Sequence, residues 1–383
     1  MSSLIYLDNA ATTPVHPLAL EKMTRQMEDQ FGNPSSLHQL GMQAEQTISH
    51  CRKNLSAILS CDPSSFIFTS GATEANNWAV ENAWESGKNK GHLLIAEATS
   101  HPSILAKLES MKKRGAKTAL ASVTSSGLIH LEELDKLLST DVIFFSFTWV
   151  NNETGVIQPI KEILSLVRKK CPRCLIHADA VQGFVKLAEI KLIEGLDCLS
   201  ISAHKIFGPK GTGAFITRKN LPLYPLIHGG GQESGKRGGT ENIPGIVGFS
   251  EAAKILHREM TAHHTRALEL KKLFEKMVLE KIENVLINGG ENRRSPYITS
   301  LSINQLRGEV LVHALENKGV IISTGSACSS RKKTRSHVLS AMKIPDEFLD
   351  GSVRISFTPF HSQEEIETAA TIFVKTVKEL QHS

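Results

Sequence analysis

Short apolar runs recur along the first two thirds of the chain, and each one exits into a knot of polar residues. Phe66–Thr69, His92–Glu97, Asp141–Val150, Leu175–Ala178 and Leu199–Ser202 have the length of strands, and most are separated by segments long enough for helices. That alternation predicts a mostly parallel α/β sheet, because a parallel return needs a long crossover, usually a helix. Ligands of such sheets bind beyond the carboxyl ends of the strands, so the exits are where chemistry is expected. They read Ser70-Gly71-Ala72-Thr73-Glu74, Thr99-Ser100-His101-Pro102, Asn151-Asn152-Glu153-Thr154-Gly155, Asp179-Ala180-Val181-Gln182 and His204-Lys205.

After these strands the pattern changes. A glycine-rich polar segment, 229–242, leads into a mainly helical stretch from Gly245 to about Ile282, with a break expected at His263-His264. Strands follow near Thr299–Ile303 and Ser352–Phe357, with helices at Glu309–Lys318 and Gln363–Leu380. Ser362 and Glu365 are spaced as a capping box for the last helix. A chain of 383 residues exceeds the size at which one core usually stops growing. We therefore expect a large domain, 13–250, and a smaller C-terminal α/β domain, 251–383, with residues 1–12 packed against the smaller one.

Composition narrows the setting. Forty-four basic against 39 acidic side chains leave a net charge of +5, spread along the chain with no aromatic-interleaved basic tract, so stable nucleic-acid binding is not expected. The densest basic cluster, Arg331, Lys332, Lys333 and Arg335, is read either as a solvated turn or as a surface that steers an acidic partner. Six cysteines are too sparse for a disulfide framework and fit a reducing compartment. Cys171-Pro-Arg-Cys174 has CxxC spacing, yet it follows a helix instead of opening one and has no second pair, so neither redox nor metal chemistry is assigned to it. The N-terminal residues lack a secretory pattern and no apolar run would span a bilayer, which makes a cytoplasmic, membrane-free protein the expectation.

The exits suggest one kind of chemistry. A lysine such as Lys205 can form an imine with an aldehyde cofactor when its surroundings lower its pKa. Pyridoxal 5'-phosphate needs that lysine, a carboxylate for its pyridine nitrogen, a flat group over its ring and donors for its phosphate. Asp179 is a candidate carboxylate, Gln182 a donor to the ring oxygen, His101 a ring cover and proton carrier, and Thr73, Ser202 and His204 phosphate donors. The small-residue turn before Thr73 would also present helix N-terminal N–H groups to a phosphate. Elsewhere, Cys328 sits in the small-residue segment Gly325–Ser330, either as a nucleophile or as a passive thiol. Arg354, inside an apolar strand, would either grip a carboxylate or face solvent. No metal ligand set is expected.

Together these stretches resemble the pyridoxal-phosphate-dependent cysteine desulfurases of fold type I, in their nitrogen-fixation and iron–sulfur-assembly branch. The shared pieces include YLDNAATTP (6–14), GNPSSLH (32–38), TSGATEANN (69–77), VNNETGVIQPI (150–160), HADAVQG (177–183), SAHKIFGPKGTG (202–213), RGGTEN (237–242) and STGSACSS (323–330). The resemblance implies Lys205, His101 and Cys328 as catalytic residues. It implies Thr73, Asp179, Gln182, Ser202, His204 and Lys205 as the cofactor set, with Thr240 reaching the phosphate from the other subunit of a homodimer. Asn152 and Arg354 would bind the carboxylate of L-cysteine, and Cys328 would take its sulfur as a persulfide for an acceptor protein serving iron–sulfur, thio-cofactor or tRNA thiolation pathways. Two positions depart from the pattern: bulky Trp149, expected to reshape the pocket, and Thr358-Pro359-Phe360 after the arginine strand. A related aminotransferase, a selenocysteine lyase and a catalytically silent dimer are the competing readings.

Overall fold

The computed structural model describes residues 4–188, 195–290, 293–325 and 335–382. Strand β1 (Ile5–Tyr6) opens it, followed by helices α1 (Pro17–Asp29) and α2 (Gln39–Leu59). Then come β2 (Phe66–Thr69), α3 (Ala72–Gly87), β3 (Leu93–Glu97), α4 (Pro102–Lys112), β4 (Lys117–Ala121), α5 (Leu131–Leu137), β5 (Val142–Thr148), α6 (Ile160–Lys170) and β6 (Leu175–Asp179). The antiparallel pair β7 (Cys198–Ser202) and β8 (Gly213–Thr217) ends this run.

These strands form a seven-stranded sheet in the order β2-β8-β7-β6-β5-β3-β4. All pairs are parallel except those of β8, which is antiparallel to both β2 and β7. Strands β2, β3, β5, β6 and β7 therefore run the same way and end on one edge, at Thr69, Glu97, Thr148, Asp179 and Ser202. Every residue of β5 is buried, and successive side chains go to opposite faces. Phe144 joins Trp78, Leu94 and Phe215 in one apolar cluster, whereas Phe145 and Phe147 join Ile95, Ile176 and Ile201 in the other. A sheet covered on both faces is the arrangement that such continuous apolar runs require.

The remaining elements are α7 (Ile243–Arg258), α8 (Met260–Leu279), β9 (Val285–Ile287), β10 (Ile298–Ile303), α9 (Gly308–Glu316), β11 (Val320–Ile321), α10 (His337–Ala341), α11 (Asp346–Leu349), β12 (Ser352–Ser356) and α12 (Gln363–Gln381). β10 pairs antiparallel with β9 and β12, and β1 pairs in parallel with β11. A separate core gathers Ile5 and Leu7 with Phe274, Leu301, Leu311, Val353, Ile355 and Phe373. Ser362 and Glu365 cap α12 reciprocally, at 3.0 and 2.7 Å. Among the described residues no helix is long and apolar enough to cross a membrane.

Two expectations are corrected. The helical break falls at Glu259, whose φ of −114° and ψ of 21° end α7, and not at His263-His264, which lie inside α8. The break belongs there because α7 packs on α1 and α2 while α8 packs on α12, so one straight axis cannot serve both. Trp149 does not shape a pocket: it is 3% exposed in the main core, and a Cβ on Gly183 would meet its ring at 2.6 Å. Of the basic cluster, Arg335 pairs with Asp346 and Asp350 at 3.2 and 3.1 Å, and Arg331, Lys332 and Lys333 lie outside the described residues. The Thr358-Pro359-Phe360 turn places the Phe360 ring 5.0 Å from Phe207 and 5.5 Å from His263. It thus joins the end of β12 to the turn that follows Lys205.

Candidate active site

A cavity of about 600 Å³ opens at the carboxyl edge of the large sheet. Thr73, His101, Asn152, Asp179, Gln182, Ser202, His204, Lys205 and Arg354 all line it. Thr240 is exposed and is not among the lining residues, and Cys328 lies outside the described residues, although Gly325 of the same segment reaches the cavity wall. Parallel strands explain the convergence: strands β2, β3, β5, β6 and β7 end on one edge, so Thr73 and Lys205 meet there although far apart in the chain.

Helix α3 points its N-terminus at this cavity. Its N-cap, Gly71, has a φ of +156° and makes no side-chain cap, so the first-turn N–H groups are left for another acceptor. The backbone is tightly drawn there. A Cβ on Gly213 would stand 2.7 Å from the Gly71 Cα, so glycine is what lets β8 approach the turn. Thr73, Ser202 and His204 line the same cavity. Burial and the charge of Lys205 push His204 down to about 4, leaving a neutral imidazole that can donate from one nitrogen.

Asp179, at the end of β6, is 6% exposed. Its Oδ1 accepts from the Val181 N–H at 3.1 Å and its Oδ2 from Asn76 Nδ2 at 2.8 Å. The other Asn76 N–H donates to Ser103 Oγ at 2.8 Å, and that oxygen lies 2.8 Å from His101 Nδ1. His101 is also the N-cap of α4, its Nδ1 accepting from the Ser103 N–H at 3.2 Å. A backbone N–H can only donate, so Nδ1 is the bare nitrogen and Nε2 carries the ring proton. Burial lowers the His101 pKa, with Lys205 and His337 acting in the same sense and Asp179 opposing. Asn76, invisible as a site residue in the sequence, thus ties the carboxylate to the imidazole.

Lys205 projects from a single turn of 3₁₀ helix after β7, and its Nζ donates to the carbonyls of Ala10 at 2.8 Å and Ala11 at 2.5 Å. The loop that supplies them is anchored by Thr13, whose Oγ1 donates to the His204 carbonyl at 3.0 Å and accepts from the Phe207 N–H at 2.8 Å. Arg354 on β12 is 3% exposed, so the solvent-facing alternative does not hold. Its Nη1 donates to the Asn152 carbonyl at 2.9 Å and its Nη2 to Asp8 Oδ1 at 2.8 Å, while its buried Nε has no partner among the described residues. Asp8 was legible only as a turn residue. Two other contributors were missed: His337, paired with the Ser100 carbonyl at 3.1 Å, and Glu153, which accepts from Ser336 at 2.5 Å.

The sequence matches the family described as aminotransferase class-V over residues 5–368. Cysteine desulfurase IscS of Dictyoglomus turgidum is 36% identical over 382 residues, spanning 99% of this chain and 96% of that protein. The chain belongs to the cysteine desulfurases. A solved NifS-like protein superposes with a TM-score of 0.91 at 32% identity, covering 98% of this chain and 99% of its own. A second structure, SspA in complex with cysteine, gives 0.80 at 32% identity, covering 93% and 99%. Membership in this desulfurase family brings the pyridoxal-phosphate fold type I architecture and its cofactor. The residues present fit that group: an uncapped helix N-terminus with hydroxyl and imidazole donors suits a phosphate, an anchored carboxylate suits a pyridinium, and a lysine stands in the same cavity.

Behind this desulfurase cavity lies Glu97, fully buried at the end of β3. It accepts from the Thr148 N–H at 2.8 Å, from Gln158 Nε2 at 2.9 Å and from Thr99 Oγ1. Burial nevertheless pushes its carboxyl from 4.5 up to about 7. Between those pH values the folded protein keeps a proton that the unfolded chain has released, so stability falls as pH rises through the window. Relative to Glu97→Gln, the wild-type unfolding free energy should therefore drop by about 3 kcal/mol at most between acid and neutral pH. Denaturant titrations across that range check the slope, and parallel profiles for the two proteins would refute it.

Proposed function

We propose that this cavity carries out L-cysteine desulfuration with Lys205, His101 and Cys328 as its catalytic residues. The reaction converts L-cysteine to L-alanine and hands the sulfur to a protein thiol as a persulfide. What supports the site assignment is a single observation: nine residues from six separate stretches of the sequence line one cavity. Pyridoxal phosphate, when bound, supplies the electron sink that weakens bonds at the substrate's α- and β-carbons.

The chain's own residues do the rest. Thr73, Ser202, His204 and the α3 N-terminus hold the phosphate, and Asp179, fixed by Asn76 and the Val181 N–H, faces the pyridine nitrogen. Gln182 donates to the ring oxygen. Lys205 would be the residue that holds the cofactor's aldehyde carbon, and its free Nζ would serve as the acceptor of the substrate's α-proton. His101 covers the ring and moves protons through Nε2. Asn152 and Arg354 bind the substrate carboxylate, with Asp8 steadying one edge of the guanidinium. The Cys328 thiolate attacks the substrate sulfur: an S–S bond forms as the C–S bond breaks, and the persulfide then serves an acceptor protein's thiol.

The same reading makes the functional unit a homodimer in which Thr240 of one copy completes the phosphate site of the other. It also divides the chain into a large cofactor-binding domain, 13–250, and a smaller one, 251–383 with 1–12, that carries the cysteine segment.

The test is stoichiometric. Cofactor-loaded wild type and Cys328→Ala are incubated with L-cysteine without reductant, and alanine is quantified alongside intact-protein mass. Alanine formation with a gain of one sulfur atom at residue 328, absent in the variant, is expected. Transamination, or sulfide release unchanged in the variant, would overturn the assignment.

A further inference from the structure

Lys186 lies under the cavity at 7% exposure, and among the described residues no carboxylate pairs with it. A buried lysine without a counter-ion is costly enough to ask what holds it there. Its Nζ sits 3.1 Å from Gln182 Oε1 and 5.8 Å from the centre of the Tyr297 ring. The other end of the Gln182 amide, Nε2, donates to the Ala10 carbonyl at 2.9 Å. That same carbonyl accepts from Lys205 at 2.8 Å.

An amide has one end that donates and one that accepts, and its surroundings decide which end faces where. Here the Ala10 carbonyl can only accept, so it takes the NH2 end, which leaves the oxygen for Lys186 Nζ, whose N–H groups can donate whether or not it is charged. With Oε1 occupied, what Gln182 has left to offer the cavity it lines is its second N–H.

We propose that Lys186 is a positioning residue for the cofactor: it locks the Gln182 amide so that an N–H, and not a carbonyl, meets the anionic ring oxygen. This rests on the reading of Gln182 as the donor to that oxygen. Without Lys186, Oε1 becomes a buried acceptor with no donor, and the Ala10 carbonyl alone is left to hold the amide, so its free N–H is no longer fixed toward the ring oxygen. The charged groups that face Lys186 are Lys205 and Arg354. Together with burial they push its amine down to about 7, which reduces the charge that has to be buried.

The test uses full-length K186M, K186Q, Q182L and the K186M/Q182L double variant, each reconstituted with pyridoxal phosphate. Two quantities are read: the apparent dissociation constant of the cofactor, and the pH midpoint of its visible absorption. Losing a hydrogen bond to a charged oxygen is worth about one pH unit, so K186M should raise the midpoint by about that much and weaken binding about tenfold. K186Q, which keeps a donor, should stay near wild type, and the double variant should be no worse than Q182L. Wild-type values in K186M alongside shifted ones in Q182L would overturn the proposal, as would effects that simply add in the double variant. A wild type that takes up no cofactor would sink the functional reading itself, and a silent Q182L with a normal wild type would sink only the role given to Gln182 and Lys186.

Discussion

Lys205→Ala is expected to lose turnover of L-cysteine by a factor of about 10⁴ or more, because one side chain both attaches the cofactor and takes the α-proton. The loss should not be one of folding. Lys205 Nζ makes its hydrogen bonds to the carbonyls of Ala10 and Ala11 at the cavity wall, and the loop that carries them is held independently by Thr13. Melting temperature should therefore move little while alanine formation falls to background. A visible absorption band of the bound cofactor that survives unchanged in the variant would show that another group makes the attachment. Partial return of activity with an added small primary amine would separate the proton-transfer role from the attachment role.

The second large effect is expected at Asp179. Asp179→Asn keeps the shape and a hydrogen-bonding side chain but removes the negative charge that a pyridinium needs beside it, so kcat should fall by about 10³ with a much smaller change in KM. The neighbourhood sharpens the expectation. Asn76 donates to Oδ2 and the Val181 N–H to Oδ1, so the carboxylate is oriented before any ligand arrives. An asparagine at 179 can satisfy one of these donors only by presenting its oxygen to it, which leaves the other facing an NH2 group. Asn76→Ala should then reproduce a fraction of the defect by loosening the carboxylate, and should also disturb His101 through Ser103. Steady-state kinetics of the two variants check this, and an Asp179→Asn enzyme whose loss lies in KM alone would contradict it.

Much of this protein was legible in the one-dimensional order of its residues. Runs such as Val142–Thr148, apolar but for Ser146 and Thr148, require a strand covered on both sides, and strands separated by helix-length crossovers require a shared exit edge. Lys205, Asp179, His101, Thr73 and Ser202 could be named because each stands at or just beyond such an exit. The cap of α12 was equally plain, since Ser362 and Glu365 meet across one turn of the chain. Local pattern and turn chemistry act over a few residues, and over that range the sequence is enough.

Tertiary structure decided what lies beyond that range. Whether Trp149 faced a pocket or a core depended on its fit against Gly183, more than thirty residues away. The helical break moved to Glu259 because two separate cores pull α7 and α8 onto different axes. Asn76 between Asp179 and Ser103, Asp8 on Arg354, and Lys186 on Gln182 beneath the ring site all depend on where folded segments bring short polar side chains together. No periodicity announces such contacts. A hydrogen bond acts only near 3 Å, and which groups come within that distance is settled by how the sheet, the N-terminal loop and the smaller core pack.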